Sequence, residues 1–316
     1  MNIAFFSESN FDGKISRDFD NMRVEYAWYV GLDATHHCIG HLPSMDENMY
    51  DLGIVIVPKT KIEHLMQVDL VKQMRRVCKK IGYMQEGPYW FFQDYPLEQQ
   101  IWYFNTIQEA DVMFVHNKSD KKYYEGLTGK ECKILPSLMI EDGIDGYTLT
   151  HKNDRKNIII GGNFCSWYGG FDSYIVAQEA DCPIYIPSMG RKIEGEEQMP
   201  NLNHLSYLEW NHWINALSQF KYGIHLMRTH AAGTFALNCA YLGIPCIGYE
   251  GLDTQEKCHP NLTIKLGDLA SAKEKLIQLK TDKDYYKQCS KIAKFNYEQC
   301  YHETNFLNKW KEYTQK

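Results

Sequence analysis

Short apolar segments alternate with amphipathic helical segments along this chain, and the alternation is the strongest constraint on its fold. The clearest apolar segment, DLGIVIVP from Asp51 to Pro58, has no polar residue in its interior. Such a segment is typical of a strand buried on both faces of a parallel sheet. Further strands are predicted at 2–6, 36–42, 80–85, 111–116, 133–136, 157–161, 183–187, 222–226, 245–248 and 261–266. Helices are predicted at 22–32, 62–78, 96–110, 119–126, 172–180, 208–217 and 234–242. This order favours βαβ units and doubly wound, Rossmann-like α/β sheets.

The alternation is interrupted once, by the polar, glycine-bearing segment EDGIDGYTLTHKNDRK from Glu141 to Lys156. Polar segments of this kind are typical of domain boundaries. We therefore predict one domain at 1–145 and a second at 146–316, each of a size that one hydrophobic core can organise. From Asp268 onward the pattern is almost entirely helical, so the second domain is predicted to end in helices.

Composition excludes several classes of protein. With 44% hydrophobic and 23% charged residues among 316, the chain has the composition of a soluble globular protein. No apolar run approaches the about 18 residues of a membrane-spanning helix, and the N-terminus lacks signal-peptide features. We expect a cytoplasmic protein without membrane insertion. The net charge of −6 argues against a broadly basic nucleic-acid-binding surface. The ten cysteines contain no C-x-x-C pair, which predicts reduced thiols and no structural metal.

The segment HLMRTHAAGTFALNCAYLGIPCIG, from His225 to Gly248, predicts a strand end, a turn, a helix from about Thr234, a Gly-Ile-Pro turn and another strand. A glycine-bearing turn that opens a helix presents unpaired N–H groups and the positive end of the helix dipole. Gly233 and Thr234 therefore form a candidate site for a phosphate or another anion, with Arg228 close by. Arg191 and Lys192 follow a different predicted strand and form a second candidate anion loop.

The order of elements resembles that of GT-B glycosyltransferases, which have two doubly wound domains and a helical C-terminus. In the large retaining branch of that fold, the unit equivalent to the His225–Gly248 segment has the pattern E-x7-E-A-x-x-x-G-x-P. This chain keeps the spacing as His230-x7-Asn238, with both acids replaced. The resemblance implies two Rossmann-like domains in the GT-B arrangement and a nucleotide sugar as co-substrate, most often UDP-linked in this family. It implies no additional cofactor and no metal.

The same resemblance implies that the second domain binds the donor. The retaining branch usually holds the pyrophosphate with an Arg and a Lys after the first strand of that domain, where this chain has Gly161, Gly162 and Asn163. His230 would contact a phosphate or a sugar hydroxyl, and Asn238 would lie toward the ribose. The predicted donor-binding residues are Gly161, Gly162, Asn163, Arg191, Lys192, Arg228, His230, Gly233, Thr234 and Asn238.

A narrower resemblance is to phage DNA β-glucosyltransferases, which also have the GT-B fold. They carry a strand-GG-S-F loop where this chain has IGGNF from Ile160, and their catalytic Asp follows a strand in a context similar to YMQEGP from Tyr83. This resemblance implies Glu86 as general base, hydroxymethylpyrimidine in phage-type DNA as acceptor and the host cytoplasm as location. Arg75 and Arg76, from a basic cluster, and Trp90, from the aromatic run after Glu86, are the predicted acceptor contacts.

The same sequence features are also compatible with several alternatives. The overall acidity favours a glycan or lipid-linked acceptor, and the two missing acids also allow a protein that binds a nucleotide sugar without turnover. An epimerase on the same fold would convert the sugar with no acceptor present. Glu86 as base implies inversion at the anomeric carbon, whereas the His230-x7-Asn238 spacing implies retention. A solvated helix face is the structural alternative for Arg75 and Arg76, and a local hydrogen bond is the alternative for Asn238.

Overall fold

The computed structural model of the protein describes residues 1–57, 65–66, 69–85, 87–188 and 192–314. The chain divides into two compact units. Unit 1 comprises Met1–Arg17, Val24–Ile140 and Leu307–Lys316, and unit 2 comprises Asp18–Arg23 and Glu141–Phe306. Within the described ranges each unit contains one parallel, six-stranded sheet. The predicted α/β class with two doubly wound sheets is confirmed.

The sheet of unit 1 has the strand order β2-β1-β3-β4-β5-β6, and all neighbouring strands are parallel. Its strands are β1 (Ile3–Ser7), β2 (Thr35–Cys38), β3 (Tyr50–Val57), β4 (Cys78–Gln85), β5 (Val112–Val115) and β6 (Cys132–Ile134). Its helices are α1 (Val24–Gly31), α2 (Leu70–Val77), α3 (Leu97–Gln108) and α4 (Lys118–Thr128). The apolar run after Asp51 forms β3, which is buried almost throughout because strands cover both of its edges and the core covers its faces.

The sheet of unit 2 has the order β12-β11-β10-β7-β8-β9, again all parallel. Its strands are β7 (Lys156–Ile160), β8 (Ile184–Ile186), β9 (Leu202–His204), β10 (Phe220–His225), β11 (Cys246–Tyr249) and β12 (Thr263–Ile264). Its helices are α5 (Gly170–Ala177), α6 (Trp210–Leu217), α7 (Thr234–Tyr241), α8 (Asp253–Cys258), α9 (Leu269–Thr281) and α10 (Lys283–Cys300), and α11 (Glu303–Thr314) continues into unit 1.

Two strands differ from the sequence prediction. The strand β9 was not predicted, because it is a three-residue edge strand with two exposed polar residues and no apolar run. The strand predicted at 36–42 ends at Cys38 and continues as a 3-10 helix, Ile39–Ser44, since Gly40 and Pro43 do not favour an extended ladder. Part of the helix predicted at 62–78 is observed as α2, and residues 58–64, 67 and 68 of that region lie outside the described residues.

The division into units differs from the predicted domains in three segments, of which the first is 141–145, because unit 2 begins at Glu141. The C-terminal residues belong to unit 1, where Trp310 stacks on Phe114 with ring centroids 5.6 Å apart and the Tyr313 hydroxyl donates to the Ile134 carbonyl at 3.0 Å. Residues 18–23 belong to unit 2, where Asp20 Oδ1 accepts a hydrogen bond from Asn211 Nδ2 at 3.0 Å. Contacts between segments so distant in sequence leave no sign in a local residue pattern.

None of the helices in the described ranges combines the length and apolarity that crossing a membrane requires. All ten cysteines lie in the described part of the chain, and each is a free thiol.

Candidate functional site

The carboxyl edge of the unit 2 sheet contains a topological switch point between β7 and β10. From β7 the chain continues to β8 and β9 on one side, whereas β10 continues to β11 and β12 on the other. Ile160 pairs with Ile224 in register, so the loops after these two strands begin side by side. Open α/β sheets bind their ligands in the crevice at such a point.

The loop after β7 lies close to its neighbours because it begins with two glycines. A Cβ added at Gly161 would lie 2.6 Å from ring atoms of His225 and Phe235, and one at Gly162 would lie 2.8 Å from the Cβ of Tyr168. Asn163 closes the loop. Its Oδ1 accepts a hydrogen bond from the Cys165 N–H at 3.1 Å, and its carbonyl accepts from the Gly170 N–H at 3.1 Å. Both of these hydrogen bonds lie within the loop.

The start of α5 is joined to the loop after β10 by backbone contacts. Gly169, the N-cap residue of α5, has a φ of +63°, and a Cβ there would overlap the Leu226 carbonyl. The Leu226 N–H donates to Ser173 Oγ at 2.9 Å, and Ser173 Oγ donates to the Gly169 carbonyl at 2.8 Å. These contacts fix the two loops of the switch point against each other.

The start of α7 has the geometry of an anion site. Gly233 is its N-cap residue with a φ of +70°, and the Gly233 carbonyl accepts a hydrogen bond from Thr254 Oγ1 at 2.9 Å. A Cβ at Gly233 would overlap the same Thr254 hydroxyl oxygen. Thr234, the first helical residue, is exposed. The N–H groups of this first turn and the helix dipole favour a negatively charged ligand beside Thr234.

A cavity of about 180 Å³ lies beside the start of α7. Its walls combine apolar and aromatic side chains with a few polar groups, which is typical of small-molecule sites. The lining residues are Gly161, Pro187, Ser188, Leu205, Ser206, Leu208, Trp213, Thr234, Phe235 and Asn238. The structure therefore brings together three of the predicted donor residues, Gly161, Thr234 and Asn238, around one cavity.

Asn238 is 4% exposed and hydrogen-bonded on both sides of its amide. Oriented to satisfy both groups, the amide oxygen accepts from Trp213 Nε1 at 3.0 Å and the amide nitrogen donates to the Thr234 carbonyl at 3.2 Å. Trp213 was not predicted as a site residue. Its bond to Asn238 ties α6 to α7 across the cavity wall.

The predicted cations have different environments. Arg228 is 58% exposed and its Nη2 donates to Asp172 Oδ2 at 3.0 Å, a bond that raises the pKa of the guanidinium. Lys192 forms an ion pair with Glu197 at 3.0 Å. Arg191 lies outside the described residues. Of these cations, Arg228 lies three residues after the end of β10, at the carboxyl edge of the sheet beside the cavity.

Two histidines lie in this region. His230, predicted to contact a phosphate or sugar, packs against the backbone of Gly251, where an added Cβ would overlap its imidazole ring. His225, which was not predicted as a site residue, is 7% exposed at the end of β10, and neither ring nitrogen has a hydrogen-bond partner among the described residues. Burial lowers the pKa of His225 to about 4, so its ring is neutral at pH 7.

The predicted acceptor residues of unit 1 lie at opposite edges of its sheet. Glu86, the predicted base, lies outside the described residues. Trp90 is half-buried in a 3-10 helix, Tyr89–Asp94, which follows β4 at the carboxyl edge. Arg75 and Arg76 instead lie in the last turn of α2, just before β4 begins. They are therefore at the amino edge of the sheet.

Both arginines make structural contacts there. The Arg75 guanidinium pairs with Asp111 and donates to the Glu109 carbonyl at 2.7 Å. Arg76 donates to the carbonyls of Met45, Leu42 and Pro43 around the end of the 3-10 helix Ile39–Ser44. These contacts favour a structural role for the two arginines over the predicted contact with an acceptor. Within the described ranges, no group of three or more His, Cys, Asp or Glu residues could hold a metal ion.

No protein-family model matches the sequence, and no curated protein matches it. The structure does match solved structures. An α-glucosyltransferase in complex with UDP and a 13-mer DNA containing an HMU base is 11% identical with a TM-score of 0.68, and the match covers 100% of each chain. HepE from Anabaena, in complex with UDP and glucose, is 10% identical with a TM-score of 0.67, covering 100% of this chain and 99% of HepE.

A third match is the pneumococcal O-GlcNAc transferase GtfA in complex with UDP and GlcNAc. It is 13% identical with a TM-score of 0.62, and the match covers 88% of this chain and 59% of GtfA. At such low sequence identity, structural similarity establishes the fold alone. These solved structures all have the same fold. The chain therefore has the fold of the GT-B glycosyltransferases, as the order of its elements predicts.

Proposed function

We propose that the protein is a glycosyltransferase that moves a sugar from a UDP-linked donor to a hydroxyl acceptor. The observation that carries this proposal is the cavity at the switch point of unit 2, with the N-terminus of α7 at its rim. Aromatic and aliphatic walls with a few polar groups suit a nucleoside. Exposed N–H groups at Thr234 suit the phosphates attached to it.

The same arrangement supplies what the reaction requires of the donor side. Negative charge develops on the diphosphate as the sugar leaves, and fixed dipoles and cations aimed at that charge lower the barrier. The helix dipole of α7 and the guanidinium of Arg228 provide such groups without a metal ion. Three solved structures of the same fold were determined with UDP, two of them together with glucose or GlcNAc, which supports a UDP-sugar as the donor class.

For the acceptor we propose a hydroxymethylated pyrimidine in DNA. Support comes from the IGGNF and YMQEGP segments and from the similarity to an α-glucosyltransferase in complex with DNA containing an HMU base. Trp90, which follows β4 in the 3-10 helix Tyr89–Asp94, is the residue that we propose stacks on a base. A glycan is the second candidate acceptor. It is favoured by the net charge of −6.

One assay tests the proposal and separates the acceptors. Purified protein is incubated with UDP-glucose or UDP-GlcNAc and with hydroxymethylated DNA, unmodified DNA or an oligosaccharide. Release of UDP is followed, and the product mass is measured. We expect UDP release that requires the hydroxymethylated DNA, with a mass increase of one hexose. UDP release that occurs only with the oligosaccharide would indicate a glycan acceptor. Binding of UDP without release under any condition would indicate a non-catalytic protein, and sugar conversion without acceptor would indicate an epimerase.

Replacing Glu86 with Gln is expected to reduce turnover by about 10²-fold or more while UDP binding stays unchanged, because a positioned general base contributes at least that factor. Initial rates of UDP release measure the change. Glu98→Gln, a substitution in the first turn of α3, is the matched control and should keep the wild-type rate. A fully active Glu86→Gln variant would exclude Glu86 as the base. The anomeric configuration of the product gives the stereochemistry: an α-linked product from UDP-α-glucose indicates retention, and a β-linked product indicates inversion.

The salt dependence of acceptor binding is expected to distinguish DNA from a glycan. If DNA is the acceptor, its dissociation constant should rise steeply between about 50 and 200 mM salt, because each neutralised phosphate releases a counterion. Fluorescence anisotropy of a labelled hydroxymethylated duplex measures this slope. Arg75→Ala should leave the slope unchanged, because Arg75 is paired with Asp111. An acceptor affinity that is independent of salt would contradict the DNA assignment.

A further inference from the structure

We propose that Asp172 and Tyr249 are positioning residues that hold the Arg228 guanidinium in place for the diphosphate of the donor. This inference rests on the proposed function, because it needs a diphosphate at the switch point of unit 2. Neither Asp172 nor Tyr249 was identified from the sequence. They lie on two further elements of the same sheet edge, Asp172 in the first turn of α5 and Tyr249 at the end of β11.

The three side chains form one hydrogen-bonded group. Asp172 Oδ2 accepts from Arg228 Nη2 at 3.0 Å and from the Tyr249 hydroxyl at 3.3 Å. The carboxylate is mostly covered, since the Asp172 side chain is 15% exposed, whereas that of Arg228 is 58% exposed. The acid therefore faces the protein and the guanidinium faces solvent. The Nε and Nη1 atoms of Arg228 have no hydrogen bond to other described residues, so they remain available to a ligand.

The backbone beneath this group is fixed independently of it. Ser173 bonds to both Leu226 and Gly169, and Gly169 lies in direct contact with the Leu226 carbonyl. Asp172 and Arg228 thus project from two segments that are already joined. An ion pair on a fixed frame holds a long arginine side chain in one orientation, which reduces the side-chain entropy lost when a ligand binds.

The contribution of this ion pair to folding is expected to be small. Pairs with an exposed partner typically change stability by at most about 1 kcal/mol. The position of the Arg228–Asp172 pair at the ligand-binding edge of the sheet is better explained by the positive charge that Arg228 supplies to a ligand. The loop from Gly161 to Gly170 contains no Lys or Arg, and Arg228 is the sole Lys or Arg between Leu226 and Asn238. A diphosphate bound at the start of α7 would therefore depend on Arg228 for a nearby cation from these two loops.

Isothermal titration of UDP and of uridine into a set of variants tests the inference. Arg228→Ala is expected to weaken UDP binding by about tenfold or more, because charge-assisted hydrogen bonds are the strong ones. Asp172→Ala should weaken it severalfold, while Asp172→Asn should bind at least as well as Asp172→Ala, since an amide oxygen still accepts from Arg228. Tyr249→Phe is expected to have a smaller effect in the same direction. Uridine affinity should stay unchanged in every variant, because uridine has no phosphate.

The double variant Asp172→Ala/Arg228→Ala decides whether Asp172 acts through Arg228. We expect the double variant to bind UDP as weakly as Arg228→Ala alone, which is the result for residues that form one unit. An additional loss in the double variant, an equal loss for uridine, or no loss in Asp172→Ala and Tyr249→Phe would overturn the inference while leaving the proposed function intact. Failure of the wild-type protein to bind UDP would instead contradict the proposed function, and the inference with it.

Discussion

The free energy of unfolding is expected to fall by several kcal/mol as the pH is lowered from 6.5 to 4. Burial lowers the pKa of His36, His225 and His259 from the ordinary 6.5 to about 4. Between these values the unfolded chain binds protons that the folded chain does not, so folding is favoured above pH 6.5 and loses this contribution toward pH 4. At about 1.4 kcal/mol for each pKa unit, each histidine contributes at most about 3 kcal/mol at neutral pH.

The three histidines stay neutral for different local reasons. Inside unit 1, His36 hydrogen-bonds Ser7 Oγ at 2.7 Å and the Phe11 carbonyl at 3.0 Å, a pattern that one neutral tautomer satisfies. Inside unit 2, His259 bonds the Ala236 carbonyl at 2.9 Å and accepts from the Cys246 N–H at 3.4 Å. Protonation of His259 would place an N–H against the N–H of Cys246. His225 has no hydrogen bond on either ring nitrogen, so its charged form would have no compensating partner.

His225→Phe separates the protonation effect from packing. The His225 ring meets Phe235 edge to face with centroids 5.3 Å apart, and phenylalanine keeps an aromatic ring there without breaking a hydrogen bond. We expect the variant to lose less stability with acid, with a slope shallower by up to about 1.4 kcal/mol per pH unit. Urea unfolding at several pH values between 7 and 4.5 measures both slopes. Equal slopes in the two proteins would show that His225 does not titrate in this range.

The sheets of both units could be predicted from the sequence because most of their strands are buried and apolar. The segment after Asp51 and the strands around Ile158 and Ile224 contain few or no polar residues, since parallel strands are covered on both faces. The strand β9 escaped prediction because an exposed three-residue strand carries no such pattern. The membership of 18–23 and 307–316 in their units depends on contacts with residues more than a hundred positions away.

The candidate site was predictable where backbone conformation dictates residue type. Gly233 opens α7 in a left-handed conformation and Gly161 lies against two rings, so both positions require glycine and are visible in the sequence. Asp172, Tyr249 and Trp213 carry no such sign, because their importance comes from partners on other elements. Ser206 lies just past β9. It could have been identified as a lining residue only if that strand had been predicted.

Arg75 and Arg76 illustrate information that a local charge pattern does not contain. A cluster of basic residues on a helix predicts a charged surface from composition alone, without regard to the edge of the sheet that it faces. The structure places both side chains before β4, where they bind carbonyl groups and a carboxylate. Open α/β sheets bind ligands at the opposite, carboxyl edge. The position of a charge relative to strand direction is thus more informative than the number of charges.

Gly169→Ala is expected to destabilise unit 2 by about 3 kcal/mol or more and to abolish UDP binding. Alanine at a φ of +63° costs about 1–2 kcal/mol. Its methyl group would also overlap the Leu226 carbonyl, which is backbone and cannot rotate away, and overpacking of this kind adds about 1–3 kcal/mol. Gly267→Ala is the matched control, because Gly267 has a φ of +83° with open space around its added Cβ.

The comparison of the two variants isolates the contact between α5 and the loop after β10. Both variants place alanine at a positive φ, so the overpacking of about 1–3 kcal/mol is what separates them. Thermal unfolding should therefore show a melting temperature for Gly169→Ala about 2–12 °C below that of Gly267→Ala, at about 2–4 °C for each kcal/mol in a unit of this size. Because Asp172 and Arg228 project from the two segments that Gly169 joins, displacement of Leu226 should move both charges away from the start of α7. Equal melting temperatures and wild-type UDP affinity in both variants would show that this close contact is dispensable for the fold and for the site.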